Sequence, residues 1–184
     1  GDHRDLHSFP TRRSSDLTAR LLGEGYEPEM FYAVEPSIQM YIAEKSEALR
    51  EQYVSSYSYA ATANYIHQMA TDKLVELFGA AHPQYTRQDF YELELATSGM
   101  VRSFMARKCD RNFTMEQKLR RFLSCSMTIY GVAEEKQQQV IDRVLEMDLK
   151  SVADQLVADA IHQADEQYQE AERKGKAIEA ARNG

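Results

Sequence analysis

Apolar residues return every three or four positions along most of this chain, and residues that would break such a rhythm are rare. Past Leu17 there are only three prolines (Pro28, Pro36, Pro83) and seven glycines, too few to punctuate a β-rich fold. The expected class is all-α, an antiparallel helical bundle. Pro28 sits where a first helical turn tolerates it, and Met30, Val34, Ile38 and Ile42 then recur every four residues, with a kink expected at Pro36. A short helix from 47 to about 57 follows. Ser58 is the expected cap of a third helix carrying Tyr65, Ile66, Met69, Leu74 and Phe78, ended by Gly79 and Pro83.

Thr86 is a good N-cap for a helix over 87–107 with Phe90, Leu93, Ala96, Met100, Val101 and Phe104 as its buried stripe. Ala96, Ser98 and Gly99 make its middle slim; either another helix approaches closely there, or the glycine is simply tolerated. Thr114 and Gln117 form a capping box opening a helix over 115–130, with Leu119, Phe122, Leu123, Ser126 and Tyr130 inward and Gly131 as its stop. Val140, Ile141, Val144 and Leu145 mark a helix from 133 to 147. Asp148 caps a last one with Leu149, Val152, Leu156, Ala160 and Ile161. Residues 165–184 favour helix but have little to bury, so they form a frayed extension or stay disordered.

The first seventeen residues, GDHRDLHSFPTRRSSDL, resemble the translation of a short-read sequencing adapter. Their charges cancel, serines interrupt any helix, and Leu6, Phe9 and Leu17 form no periodic face; coil is expected, packing against nothing, so that deleting 1–17 leaves the thermal midpoint unchanged. The apolar core and small-residue cleavage site of a signal peptide are missing as well. Residues 18–164 then form one helical domain, and 165–184 a polar tail.

A net charge of −7 with no Lys/Arg stripe opposes binding to a phosphate backbone. No apolar run approaches the roughly 20 residues of a membrane span. Cys109 and Cys125 lack paired spacing, which points to a reducing compartment, the cytoplasm, rather than to a disulfide framework or a zinc site. His67, His82 and His162 stand alone in their segments, and the HExxH and Glu-x-x-His patterns, phosphate-cradling glycine loops and CxxC pairs are all missing. No catalytic residue, metal ligand or cofactor is expected, and the chain does not read as an enzyme. Instead Phe31, Tyr32, Met40, Tyr41, Tyr53, Tyr57, Tyr59, Tyr65 and Met69 crowd its first half. Such residues either line an adaptable apolar cavity or are ordinary core and surface.

The stretches AEKSEALREQYVSSYSYAATANYIHQMATDKL at 43–74, DFYELELATSGMVRSFMARKCDRNFT at 89–114 and MEQKLRRFLSCSMTIYGV at 115–132 resemble the C-terminal regulatory domain of TetR-family transcriptional repressors. The likeness implies a bundle of that type, which dimerises and binds a small effector, with a helix-turn-helix DNA reader upstream of Thr18. It also implies a homodimer contact from helices 87–107 and 115–130 through Ala96, Gly99, Met100, Leu119, Phe122, Leu123 and Ser126. An apolar effector pocket would lie among helices 28–45, 59–79 and 87–107. Tyr57, Tyr65 and His67 would be its polar groups, and Met69, Met100 and Phe104 its walls. The effector would be a small hydrophobic or amphipathic molecule, and DNA would be reached only through the upstream reader. The chain departs from the family in continuing well past the usual last helix. The alternative is a helical interaction or scaffold domain with no small-molecule site.

Overall fold

The computed structural model describes residues 11–182, with side chains from Ser15 onward. Eight α-helices make up the described fold: α1 (Thr11–Leu22), α2 (Pro28–Lys45), α3 (Glu47–Ser56), α4 (Ala60–Phe78), α5 (Arg87–Ala106), α6 (Met115–Ile129), α7 (Glu134–Glu146) and α8 (Leu149–Arg182). A single 3-10 turn, Gly79–Ala81, follows α4.

Helix α2 is the axis around which the others pack. It touches every other α-helix, and its buried residues run from Met30 and Phe31 through Val34, Ile38 and Met40 to Ala43, on all sides. A helix apolar all round belongs in the interior. Its flank toward α6, α7 and α8 meets Leu119, Phe122, Leu123, Met127, Val140, Ile141 and Val144 in the main core. Nearer its N-terminus, Phe31 joins Leu74, Leu77, Phe78, Phe90 and Tyr130 in a smaller aromatic cluster, where Phe78 and Tyr130 stack at 5.1 Å and Tyr32 meets both edge-on. The helix runs unbroken through Pro36, although that residue has no N–H to return to the carbonyl of Tyr32.

The capping signals act as their chemistry dictates. Thr86 and Asp89, and likewise Thr114 and Gln117, form reciprocal capping boxes at α5 and α6, and Asp148 accepts from the Ser151 N–H at the start of α8. Gly131, at φ 71°, supplies the left-handed residue that ends the α6 segment; a Cβ there would come within 3.0 Å of His82.

Four local expectations need correction. Residues 11–17 are helical rather than coil: α1 begins at Thr11, lies on α2, and its Ser15 hydroxyl donates to Glu35 at 2.8 Å. The remainder of the 1–17 segment lies outside the described residues. The cap of α4 is Tyr59, not Ser58, whose hydroxyl instead accepts from Arg102 at 3.1 Å. On α5 the buried positions are Phe90, Glu94, Thr97, Ser98 and Met105, so Ala96 faces solvent. Cys125, whose apolar surroundings in the sequence mark it as a small core residue, is exposed instead, because the inward face of α6 is already supplied by Phe122, Leu123, Ser126 and Met127.

Beyond Ala164 the last helix continues to Arg182 with its side chains in solvent. Pairs at i,i+4 support it there, Glu170 with Lys174 and Glu172 with Lys176, both at 2.6 Å. No helix among the described residues is long and apolar enough to cross a membrane.

Candidate functional site

Between α2, α4 and α5, beside Pro36, lies a cavity of about 340 Å³. One face of α2 contributes Phe31, Tyr32, Glu35, Pro36 and Gln39, which recur at three- and four-residue steps; α4 faces them with Met69, Ala70, Lys73 and Leu77, and α5 with Glu94, Thr97, Ser98 and Val101. Tyr57, just past α3, and Ser15 with Asp16 of α1 complete the wall.

The polar groups of this wall form one connected array on the α5 side. Glu94, 6% exposed, faces the His67 Nδ1 at 3.2 Å, and the Ser98 hydroxyl lies 3.4 Å from the same nitrogen. The Thr97 hydroxyl pairs with the Tyr130 hydroxyl at 2.8 Å and lies 3.4 Å from Glu94 Oε2. Burial raises the Glu94 carboxyl above the usual carboxylate range, against the opposing pull of His67. Across the cavity, Glu35 is half-buried and receives the Ser15 hydroxyl; burial pushes its carboxyl up to about 7. The Tyr57 phenol is likewise pushed up by burial. Lys73 points its ammonium 4.5 Å above the Phe31 ring and bonds Glu76 at 3.0 and 3.1 Å.

The chain matches no family model, no curated protein and no solved structure.

The cavity lies among the three helices expected to hold a pocket, but only some of the expected residues reach it. Tyr57 and Met69 are in its wall, and His67 stands behind Glu94. Tyr65 lies outside the wall, and Met100 and Phe104 pack against the main core instead, Phe104 against Phe113 and Phe122. Glu35, Gln39, Glu94 and Thr97 were missed. The signal that marks them is positional: Glu94, Thr97, Ser98 and Val101 follow Phe90 at helical spacing, so polar residues occupy the inward phase of α5.

The expected dimer contact also divides. Leu119, Phe122, Leu123 and Ser126 are each 0% exposed in the interior of this chain, so they have no surface left to offer a second copy. Ala96 and Gly99 are exposed, and a Cβ on Gly99 would meet nothing within 4 Å, so among the described residues no helix makes the close approach that the slim segment suggested. Met100 is half-buried beside the core.

A second hollow of about 740 Å³ lies between the α2–α3 junction and α8, walled by Ile42, Leu49, Tyr53, Leu156 and Val157. Larger though it is, its wall contains no carboxylate array like that of the first; its charged groups, Arg20, Lys45 and Asp159, are exposed. Among the described residues no three His, Cys, Asp or Glu side chains converge as a metal site would require.

Buried charge of a different kind fastens the far end of α2. Glu44 accepts from Lys118 Nζ at 2.8 Å, from Arg50 Nη1 at 3.1 Å and from the Cys109 N–H at 3.1 Å. Arg50 also donates to the Met105 carbonyl at 3.2 Å, and Lys118, 1% exposed, to that of Arg107. Burial works to raise the Glu44 carboxyl, but the bonds from Arg50 and Lys118 outweigh it and bring it down to about 2.

Proposed function

We propose that this chain is the effector-sensing domain of a ligand-responsive regulator of the TetR kind. The observation that carries the reading is the cavity between α2, α4 and α5, where an aromatic and methionine wall meets a small number of convergent polar groups. A core built only for stability has little reason to keep such a space beside buried, imperfectly paired carboxylates, since both features lower stability. In the intact regulator, effector binding shifts the balance between two arrangements of paired DNA readers, which requires that the effector bind one arrangement better. DNA is then contacted by the reader domain, and this acidic domain supplies ligand binding and pairing. The α5 face around Ala96 and Gly99 is the available surface for a homodimer.

Thermal-shift screening against apolar and amphipathic compounds tests the sensor role. A ligand at a hundred times its dissociation constant stabilises by about 2.7 kcal/mol, enough to move the midpoint visibly. The expected hit loses its effect in Ala70→Phe, which fills the cavity, provided that variant keeps the parent's circular dichroism. If no compound shifts the midpoint, the scaffold reading takes its place. That second reading draws on the outer part of α8, whose exposed Ile161, Tyr168 and Ile178 make a helix with more apolar surface than its own fold uses.

A further inference from the structure

The sensor reading leaves the chemistry of the effector open, and the wall of the cavity narrows it. We propose that the occupant is a lipophilic cation, an organic molecule with one ammonium group seated between Glu35 and Glu94 and an apolar body lying on Phe31, Tyr57 and Met69.

The charge of the wall is the first ground. Asp16 from α1, Glu35 from α2 and Glu94 from α5 face the cavity, and Lys73 from α4 is the single lysine or arginine among its described lining residues. That lysine is already engaged, bonded to Glu76 and lying over the Phe31 ring. His67 attends Glu94, whereas Glu35 has the Ser15 hydroxyl and no salt bridge among the described residues. Lys73 acts on Glu35 only through space and forms its ion pair with Glu76, so a ligand cation would give Glu35 the direct ion pair that no described residue gives it; an anion would face three acidic side chains and would have to displace Lys73 from Glu76.

Unspent hydrogen-bonding capacity is the second. Gln39 is nine-tenths buried and in the wall, yet its side chain makes no hydrogen bond among the described residues. Buried polar groups are nearly always paired, so an unpaired one facing a cavity marks a place where a ligand completes the pairing. The third ground is the ring face itself. Lys73 over Phe31 shows that this wall already accepts an ammonium against an aromatic ring, and Tyr57 offers a further ring.

Three probes of one shape and different charge decide the matter: (4-phenylbutyl)trimethylammonium, 4-phenylbutan-1-ol and 5-phenylpentanoate, titrated by calorimetry into the full chain. The ammonium should bind at least tenfold more tightly than the alcohol, and the carboxylate should not bind. Glu35→Gln and Glu94→Gln, which keep the side-chain shape, should each cut the ammonium's affinity about tenfold and leave the alcohol's unchanged. The exposed α3 variant Glu51→Gln controls for general attraction to an acidic protein and should change neither. The fixed charge of the ammonium probe also makes pH a test. Among the described residues Asp16, Glu35, Glu94, His67, Lys73, Tyr32 and Tyr57 are the titratable groups facing the site, and with Glu35 at about 7 the affinity should rise severalfold from pH 5.5 to 8. Equal affinity for ammonium and alcohol, or preference for the carboxylate, would overturn the cation assignment and leave the sensor reading standing. Failure of all three probes to bind would count against both.

Discussion

Two glutamates on the same helix show how differently one fold can treat buried charge. At the C-terminal end of α2, Glu44 is enclosed by Arg50 from α3, Lys118 from α6 and the backbone of Cys109, and its carboxyl is held down to about 2. Toward the middle of the helix, Glu35 has a serine hydroxyl for company, and burial pushes it up to about 7. The first arrangement ties α2, α3, α5 and α6 together; the second leaves a carboxylate beside a cavity with its interactions incomplete. Satisfied buried charge is a staple, and unsatisfied buried charge at a cavity is, under the proposed sensor function, a binding element.

The sharpest way to test the staple is to remove one of its cations. Lys118→Met leaves Glu44 short of a partner and the Arg107 carbonyl without its donor, and should cost about 3 kcal/mol in urea unfolding, as breaking a buried pair usually does. A loss below ~1 kcal/mol would mean that Arg50 alone suffices and that the contrast with Glu35 is overstated.

The two carboxylates should also oppose each other in pH dependence. Glu44, lowered on folding, contributes stability above about pH 4.5 that disappears as pH falls toward 2. Glu35, raised on folding, binds its proton more tightly in the folded chain, so stability falls as pH rises from about 4.5 to about 7 and stays low above that. Glu35→Gln should therefore stabilise the protein at pH 8, on the order of 1–2 kcal/mol, and do little at pH 4.5. Chemical denaturation at the two pH values measures the difference, and a variant less stable at pH 8 would place Glu35 among the staples.

Shortening the chain to begin at Thr18 removes the Ser15 bond to Glu35 and part of α1, and should lower stability by roughly 1 kcal/mol. An unchanged thermal midpoint would restore the expectation drawn from the adapter-like composition of those residues. Smallest of all, Gly99→Ala should stabilise by about 0.5 kcal/mol, since a methyl there meets open space and alanine is the better helix former. Light scattering adds the dimer test: Gly99→Leu should weaken self-association if that open face is the contact.

Much of the architecture was legible in the residue pattern because it depends on local chemistry. The reciprocal caps at Thr86 and Thr114, the glycine stop at Gly131 and the four-residue rhythm of Met30, Val34, Ile38 and Ile42 each involve neighbours along the chain, and all appear in the fold. A cavity does lie among α2, α4 and α5, where aromatic and methionine residues crowd, although several of the residues expected in its wall are elsewhere. The inward face of α5 was misread because Ala96 looks like core and Glu94, Thr97 and Ser98 look like surface. Their burial depends on His67, supplied by α4, and on Tyr130, just past α6, partners that no local pattern reveals.

By itself, then, the sequence determined an all-α chain, the approximate helix boundaries and the region in which apolar and aromatic surface would gather, since helix periodicity and capping act over a few residues. Only the tertiary structure decided which charges would be neutralised. Glu35 and Glu44 are the same residue type on the same helix, and their different states follow from what α1, α3 and α6 bring beside them across long stretches of chain. Electrostatic pairing is set by distance in space and by exclusion of water, and neither is written in the order of the residues.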